Sequence, residues 1–181
     1  DGRFFGENTD GIGLVRDLTD NHHIKLNGKC ILIIGAGGAV RGVIEPILNE
    51  QPSELVIANR TVSKALQLAE DFSDLGNISG CGFDQLEGRT FDIVINATSA
   101  SLHGELPPLP GHLFSDNACA YDMMYAAEPT VFMRWASEHG AEQVFDGLGM
   151  LVEQAAEAFK LWRGVQPETK PVIEAIRASL K

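Results

Sequence analysis

The sequence predicts an α/β fold in which a doubly wound parallel sheet carries helices on both faces, with further helices at the two ends of the chain. Three observations point there. Short β-branched runs alternate with stretches of helical period. That alternation belongs to βαβ units around a sheet buried on both sides. The first run then breaks into glycines that open onto a helix, which is how a tight strand-to-helix turn is built.

In chain order the strands are "CILII" (30–34), "ELVIA" (54–58), "DIVINA" (92–97), "ACAYDM" (118–123) and "EQVFD" (142–146), with a weaker one near "ISGCGF" (78–83). Helical spacing covers 39–50, 62–73 and 129–139, the last ending where Gly140 supplies the left-handed residue after a helix. Segments 9–20, 147–163 and 170–180 are helical too, but lie outside the simple wrap. In 147–163, Leu148, Leu151, Val152, Ala155, Ala158, Phe159 and Trp162 recur at three- and four-residue steps and predict an apolar stripe that needs a cover. The proline-rich "SASLHGELPPLPGHLFSDN" (99–117) reads as a loop, with at most one short helical turn, over the carboxyl ends of the strands.

Composition narrows the function classes. With 181 residues, 44% hydrophobic and 22% charged, the chain has enough apolar material for a well-buried core. A net charge of −11, spread along the sequence, disfavours nucleic acid or an anionic membrane as partner. Cys30, Cys81 and Cys119 are far apart and form no CxxC pair, so neither a disulfide framework nor a thiolate metal site is predicted; a reducing cytoplasm fits. The longest apolar run is too short and glycine-rich to span a bilayer. No metal is expected, and His22 and His23 read as exposed loop residues.

The run "CILIIGAGGAVRG" places Gly35, Ala36, Gly37, Gly38 and Ala39 between strand and helix. Glycine there lets a diphosphate approach backbone N–H groups at a helix N-terminus, where the dipole favours negative charge. Val40 departs from the third glycine of the G-x-G-x-x-G pattern, and tight βα turns also occur without ligands. About twenty residues on, where NAD-binding folds carry an acid for the ribose 2′-hydroxyl, this chain has Asn59, Arg60, Thr61 and then Lys64. A guanidinium and a hydroxyl suit a 2′-phosphate, so NADP is favoured over NAD, the bland alternative being a solvated basic turn that caps a helix through Thr61 or Ser63. Such a unit is Rossmann-like.

With "NTDG", the glycine turn, "NRTVSK", "INATSA", "YDMMY" and "DGLGMLVEQAAEAF" all present in this order, the chain closely resembles the C-terminal, cofactor-binding part of the shikimate dehydrogenase family, from Asn8 almost to its last residue. The resemblance implies NADPH-dependent, reversible reduction of 3-dehydroshikimate to shikimate, a step of chorismate and aromatic amino-acid biosynthesis, in a two-domain enzyme whose cleft closes on substrate. It puts the diphosphate at Gly35–Ala39 and the 2′-phosphate at Asn59–Lys64. Thr98 and Met123 fall near the nicotinamide, Gly147 lines the cofactor, and Asp10, Tyr125 and Gln154 fall on the substrate side. An arginine is expected at or near Lys64, and a lysine keeps its charge without its planar fork.

The family's proton donor is a lysine in an Asn-Val-Thr-x-Pro-x-Lys motif, paired with the aspartate that matches Asp10. Here Lys25, Lys29, Lys64, Lys160, Lys170 and Lys181 all lie in other contexts. The expectation is an excised domain: a linker helix over 1–20, an NADP-binding unit over 21–146, and helices over 147–181 returning toward a substrate domain. It should bind cofactor without turnover and self-associate through uncovered apolar faces.

Residue by residue, plainer readings stand alongside. Thr9 or Asp10 suits a helix N-cap, Tyr125 suits packing over the sheet end, Gln154 suits solvent, and Asp122 suits holding a turn. Alternative functions are a quinate/shikimate dehydrogenase that accepts NAD, against which Arg60-Thr61 argues, and a non-catalytic nucleotide-sensing module.

Overall fold

The apolar runs join in a single parallel sheet in the computed structural model, which describes residue 2 and residues 6–180. Of the expected 1–20 helix, residues 1 and 3–5 lie outside the described residues. The strands are β1 (Cys30–Ile34), β2 (Glu54–Ala58), β3 (Ile78–Cys81), β4 (Phe91–Asn96), β5 (Phe114–Asp122) and β6 (Gln143–Asp146). Their order is β3-β2-β1-β4-β5-β6, with the reversal between β1 and β4. In such sheets ligands bind outside the carboxyl ends of the strands, at that reversal.

Alternation along the strands sorts the core into two layers. Ile31, Ile33, Leu55, Ile57, Ile93, Ile95 and Tyr121 face one side, together with α1 (Asp10–Arg16), α2 (Gly38–Asn49), α3 (Val62–Asp71) and Met150 of α5 (Leu148–Arg163). Leu32, Ile34, Val56, Ala58, Val94 and Ala120 face the other, against Phe132 and Ala136 of α4 (Val131–Glu138) and the 3₁₀ turn Phe83–Leu86. A last helix, α6 (Lys170–Ser179), docks through Arg177, which grips Asp146 at the end of β6 and donates to the Ala126 carbonyl. Helices thus cover both faces, as the sequence predicts.

Glycines bring α1 between its neighbours. A Cβ at Gly11 would lie 2.5 Å from the Gly42 carbonyl of α2, an oxygen that Pro46 cannot bond for want of an N–H; one at Gly13 would lie 2.7 Å from the Gln154 nitrogen of α5. Beyond Arg16 the helix widens into a π-helical turn, Asp17–Asn21. That turn sends Asp17 inward, where its carboxylate accepts from the Tyr121 hydroxyl at 2.6 Å and from Asn21 at 2.9 Å. Taken alone, burial would push the Asp17 carboxyl up. The hydrogen bonds from His22, Tyr121 and Asn21, with the His22 charge, outweigh burial and hold it below 3.8.

Local details sharpen or correct the expectations. The stripe on α5 is divided: Leu148 and Val152 are buried, whereas Leu151, Ala155 and Phe159 are exposed and Trp162 is 81% exposed, an uncovered apolar face of the kind expected. Beside Leu148 and Val152 the buried face carries Gly149, Ala156 and, against expectation, two carboxylates, Glu153 and Glu157. Glu157 pairs with Arg16 at 2.6 Å and Glu153 accepts from Asn21 at 3.2 Å, so partners on the first helical segment make burial of those charges affordable. His22 is not a free loop residue, because its ring stacks on Phe145 at 3.7 Å and faces Asp17; His23 is exposed. The 99–117 loop gives up its last residues to β5, which begins at Phe114 and bulges around Asn117, whose φ is +60°.

Candidate functional site

The turn after β1 is fixed by backbone geometry. Gly35 has φ +116°, and a Cβ there would stand 3.3 Å from both the Ala97 carbonyl and the Thr98 methyl, so the β1 and β4 ends approach closely only with glycine at this position. Gly37 is the N-cap of α2 and, having no side chain, makes no capping bond of its own. At Gly37 and Gly38, among the described residues and apart from the adjoining backbone, nothing stands within 4 Å of where a Cβ would be. The first N–H groups of α2 therefore face an open approach, the arrangement that accepts an anionic group.

Beside it, the end of β2 turns sharply at Asn59, whose side-chain amide donates to the Thr61 carbonyl at 3.0 Å. Thr61 is the N-cap of α3 but its hydroxyl makes no capping bond. Arg60, Thr61 and Lys64 are all exposed, and among the described residues neither cation is in an ion pair. Arg60 and Asn59 border a cleft of about 350 Å³ whose other walls include Phe83, Thr98, Leu106 and Pro107. An aromatic ring, a guanidinium and aliphatic rings around a slot of that size can take a flat heterocycle.

On the other side of the reversal, Thr98 is turned toward Asn96, to whose Oδ1 its hydroxyl donates at 2.8 Å. Met123 is buried, and Gly147, the N-cap of α5, lies so near it that a Cβ would stand 2.2 Å from the Met123 carbonyl. Asp122 sits under this turn with no exposure, accepting from Asn96, Ser101, Thr130 and the Met124 N–H. Burial raises its carboxyl, with those four hydrogen bonds acting the other way. It holds a turn, as the sequence suggests.

Of the remaining expected residues, Asp10 begins α1 and is half-buried. Thr9 is the N-cap of α1, but its side chain makes no capping bond; Asn8 Oδ1 instead accepts from the Asp10 N–H at 2.8 Å. Thr9 instead donates to Gln154 Oε1 at 3.3 Å, which brings Asp10 and Gln154 to neighbouring places on α1 and α5. Tyr125 is 38% exposed, and among the described residues no hydrogen bond joins it to either. Sequence reasoning missed Asn96, Ser101 and Thr130. The only signal was the polar end of an apolar strand in "INATSA". Among the described residues no group of His, Cys, Asp and Glu is placed to hold a metal, and no helix is long and apolar enough to cross a membrane.

Two family models match the chain: shikimate/quinate 5-dehydrogenase over residues 17–103, and the shikimate 5′-dehydrogenase C-terminal domain over 147–177. Proteins named shikimate dehydrogenase (NADP⁺) from Cellvibrio japonicus and Methylococcus capsulatus are each 60% identical, over 99% and 98% of this chain; it spans only 65% and 64% of their lengths. Among solved structures, an Ael1 enzyme from Pseudomonas putida superposes with a TM-score of 0.90 at 51% identity, covering 97% of this chain and 64% of that one. The shikimate 5-dehydrogenase of Thermus thermophilus, solved with NADP(H) and shikimate, gives 0.80 at 34%, covering 99% and 65%. The glycine turn, the β2 end and the α1–α5 contact are thus laid out on a scaffold these proteins share along almost the whole chain, and the chain belongs to the shikimate/quinate dehydrogenase family.

Proposed function

We propose that this chain is the NADP(H)-binding part of a shikimate dehydrogenase, the whole protein reducing 3-dehydroshikimate reversibly to shikimate with NADPH in the cytoplasm. The observation that carries the reading is the N-terminus of α2, with glycine at its N-cap, near Arg60 and Lys64, two cations with no ion-pair partner among the described residues. The first would receive a diphosphate through N–H groups of Gly35–Ala39, the second a 2′-phosphate with help from Asn59 and Thr61. The cofactor, when bound, supplies the hydride. Thr98, Met123 and Gly147 bound its nicotinamide side, while Asp10, Tyr125 and Gln154 take the polar substrate. Residues 21–146 form the nucleotide unit, and the segments on either side, with α1 before it and α5 and α6 after it, act as linkers.

Titration of the chain with NADPH and NADH tests this. NADPH is expected to bind at least about tenfold tighter, and Arg60→Ala to lose about tenfold of that preference, as removal of a charge-assisted phosphate contact does. Equal affinities in the parent chain would overturn the NADP reading and favour an NAD-accepting enzyme.

A second expectation concerns the outward face of α5. Leu151, Phe159, Leu161 and Trp162 expose apolar surface along one helix, which supports self-association of the chain. Sedimentation is expected to show dimers or larger species as concentration rises, with Trp162→Ser reducing them. A strict monomer at high concentration would refute it.

A further inference from the structure

We propose that Asn96 and Asp122 are positioning residues that fix the nicotinamide side of the cofactor site by tying the segments after β4 and β5 to one buried polar hub. The inference rests on the NADP(H) reading above. Both residues are fully buried, and they stand opposite one another in the parallel register at the carboxyl ends of adjacent strands. An amide and a carboxylate in that place are costly for a sheet whose other fully buried positions are apolar, unless every polar atom is partnered.

They are partnered, and almost entirely by residues that lie beyond the strand ends. Asn96 Oδ1 accepts from the Thr98 N–H at 3.2 Å and the Thr98 hydroxyl at 2.8 Å. Its Nδ2 donates to Asp122 Oδ1 at 3.0 Å and Ser101 Oγ at 3.2 Å. Asp122 further accepts from the Met124 N–H at 3.1 Å, Ser101 Oγ at 2.8 Å and Thr130 Oγ1 at 2.6 Å. Thr130 in turn caps α4 by accepting from the Met133 N–H at 3.2 Å. Thr98, the 3₁₀ turn that begins at Ala100, the Met123–Met124 turn and the start of α4 therefore meet at one amide–carboxylate pair.

The direction of these bonds decides what faces the cofactor. With its hydroxyl turned inward to Asn96, Thr98 sets its methyl against the Gly35 position, at the edge of the diphosphate turn. The Met124 N–H held by Asp122 fixes the main chain next to Met123, against which Gly147 packs. Apolar residues at 96 and 122 would build the sheet equally well but would leave Thr98 and Met124 unoriented. Among the described residues no hydrogen bond of the hub reaches Arg60, Thr61 or Lys64, and only Thr98 and the turn at Ala100 touch the cleft beside Arg60, so its effect falls mainly on the nicotinamide half of the dinucleotide.

The test compares the parent chain with Asn96→Ala and Ser101→Ala, using NADPH, whose reduced nicotinamide fluoresces, and adenosine 2′,5′-bisphosphate, which carries only the other half. At saturating NADPH, Asn96→Ala is expected to lose more than about half of the fluorescence enhancement, while bisphosphate affinity changes by less than about twofold. A folded Asn96→Ala chain that keeps the enhancement, or that loses both ligands in parallel, overturns the proposal. If that variant does not fold, Ser101→Ala decides on the same criterion, with a smaller one-sided loss expected. A parent chain that binds neither ligand refutes the NADP(H) reading instead, and one that binds both without any enhancement refutes the hub.

Discussion

Asp17→Ala is expected to lower the free energy of unfolding by about 3 kcal/mol, read from urea denaturation at neutral pH. The Tyr121 hydroxyl, fully buried, would lose its acceptor, which costs about 1–3 kcal/mol, and the cavity left beside Gly149 adds to it. The same carboxylate gives a pH dependence. Its folded-state value lies below the ordinary 3.8, so its contribution to stability is present above that value and is lost as pH falls through the folded-state value. The acid limb of the stability curve below about pH 4 is expected to flatten in Asp17→Asn. An unchanged limb would show that the Asp17 hydrogen bonds contribute nothing to acid unfolding.

Gly147→Ala is expected to cost about 3 kcal/mol and to abolish tight NADPH binding, because the added methyl meets main chain, where no side chain can swing aside. Its Cβ would fall 2.2 Å from the Met123 carbonyl, so α5 and the end of β5 must separate. The Met124 carbonyl, which accepts from the Gly147 N–H at 3.1 Å, would move with them. Calorimetry of NADPH binding on a variant shown to be folded checks the second half of this expectation. Affinity within about twofold of the parent would mean that the Met123–Gly147 contact does not border the cofactor.

The strands were legible in the sequence because each is a short apolar run bounded by breakers, and a strand buried on both faces needs no more than that. The β3 strand, with intermediate burial and a glycine in it, was the faintest in sequence and is one of the shortest in the sheet. The glycine turn was equally legible, since a positive φ against the neighbouring strand end admits little else at Gly35. The polar hub was not. Asn96, Ser101, Asp122 and Thr130 are distributed over 35 residues of chain, and only the parallel pairing of β4 with β5 brings them together.

By itself the sequence determined the α/β class, the two-sided sheet, the turn at Gly35–Gly38 and the cationic β2 end, because each follows from local spacing or a residue's own conformational limits. Only the tertiary structure decided which face of α5 is buried. Periodicity identifies an apolar stripe but cannot say which neighbour a helix meets. Here Gly13 and Gly149 let the first helical segment approach the face that carries Leu148, Val152 and Ala156, and Arg16 and Asn21 partner Glu157 and Glu153 there, so the carboxylates went inward and Phe159 and Trp162 outward. The place of Asp10 was settled in the same way: Asn8 accepts from its N–H, and the N-cap residue Thr9 reaches Gln154 across a contact that close glycine packing alone permits.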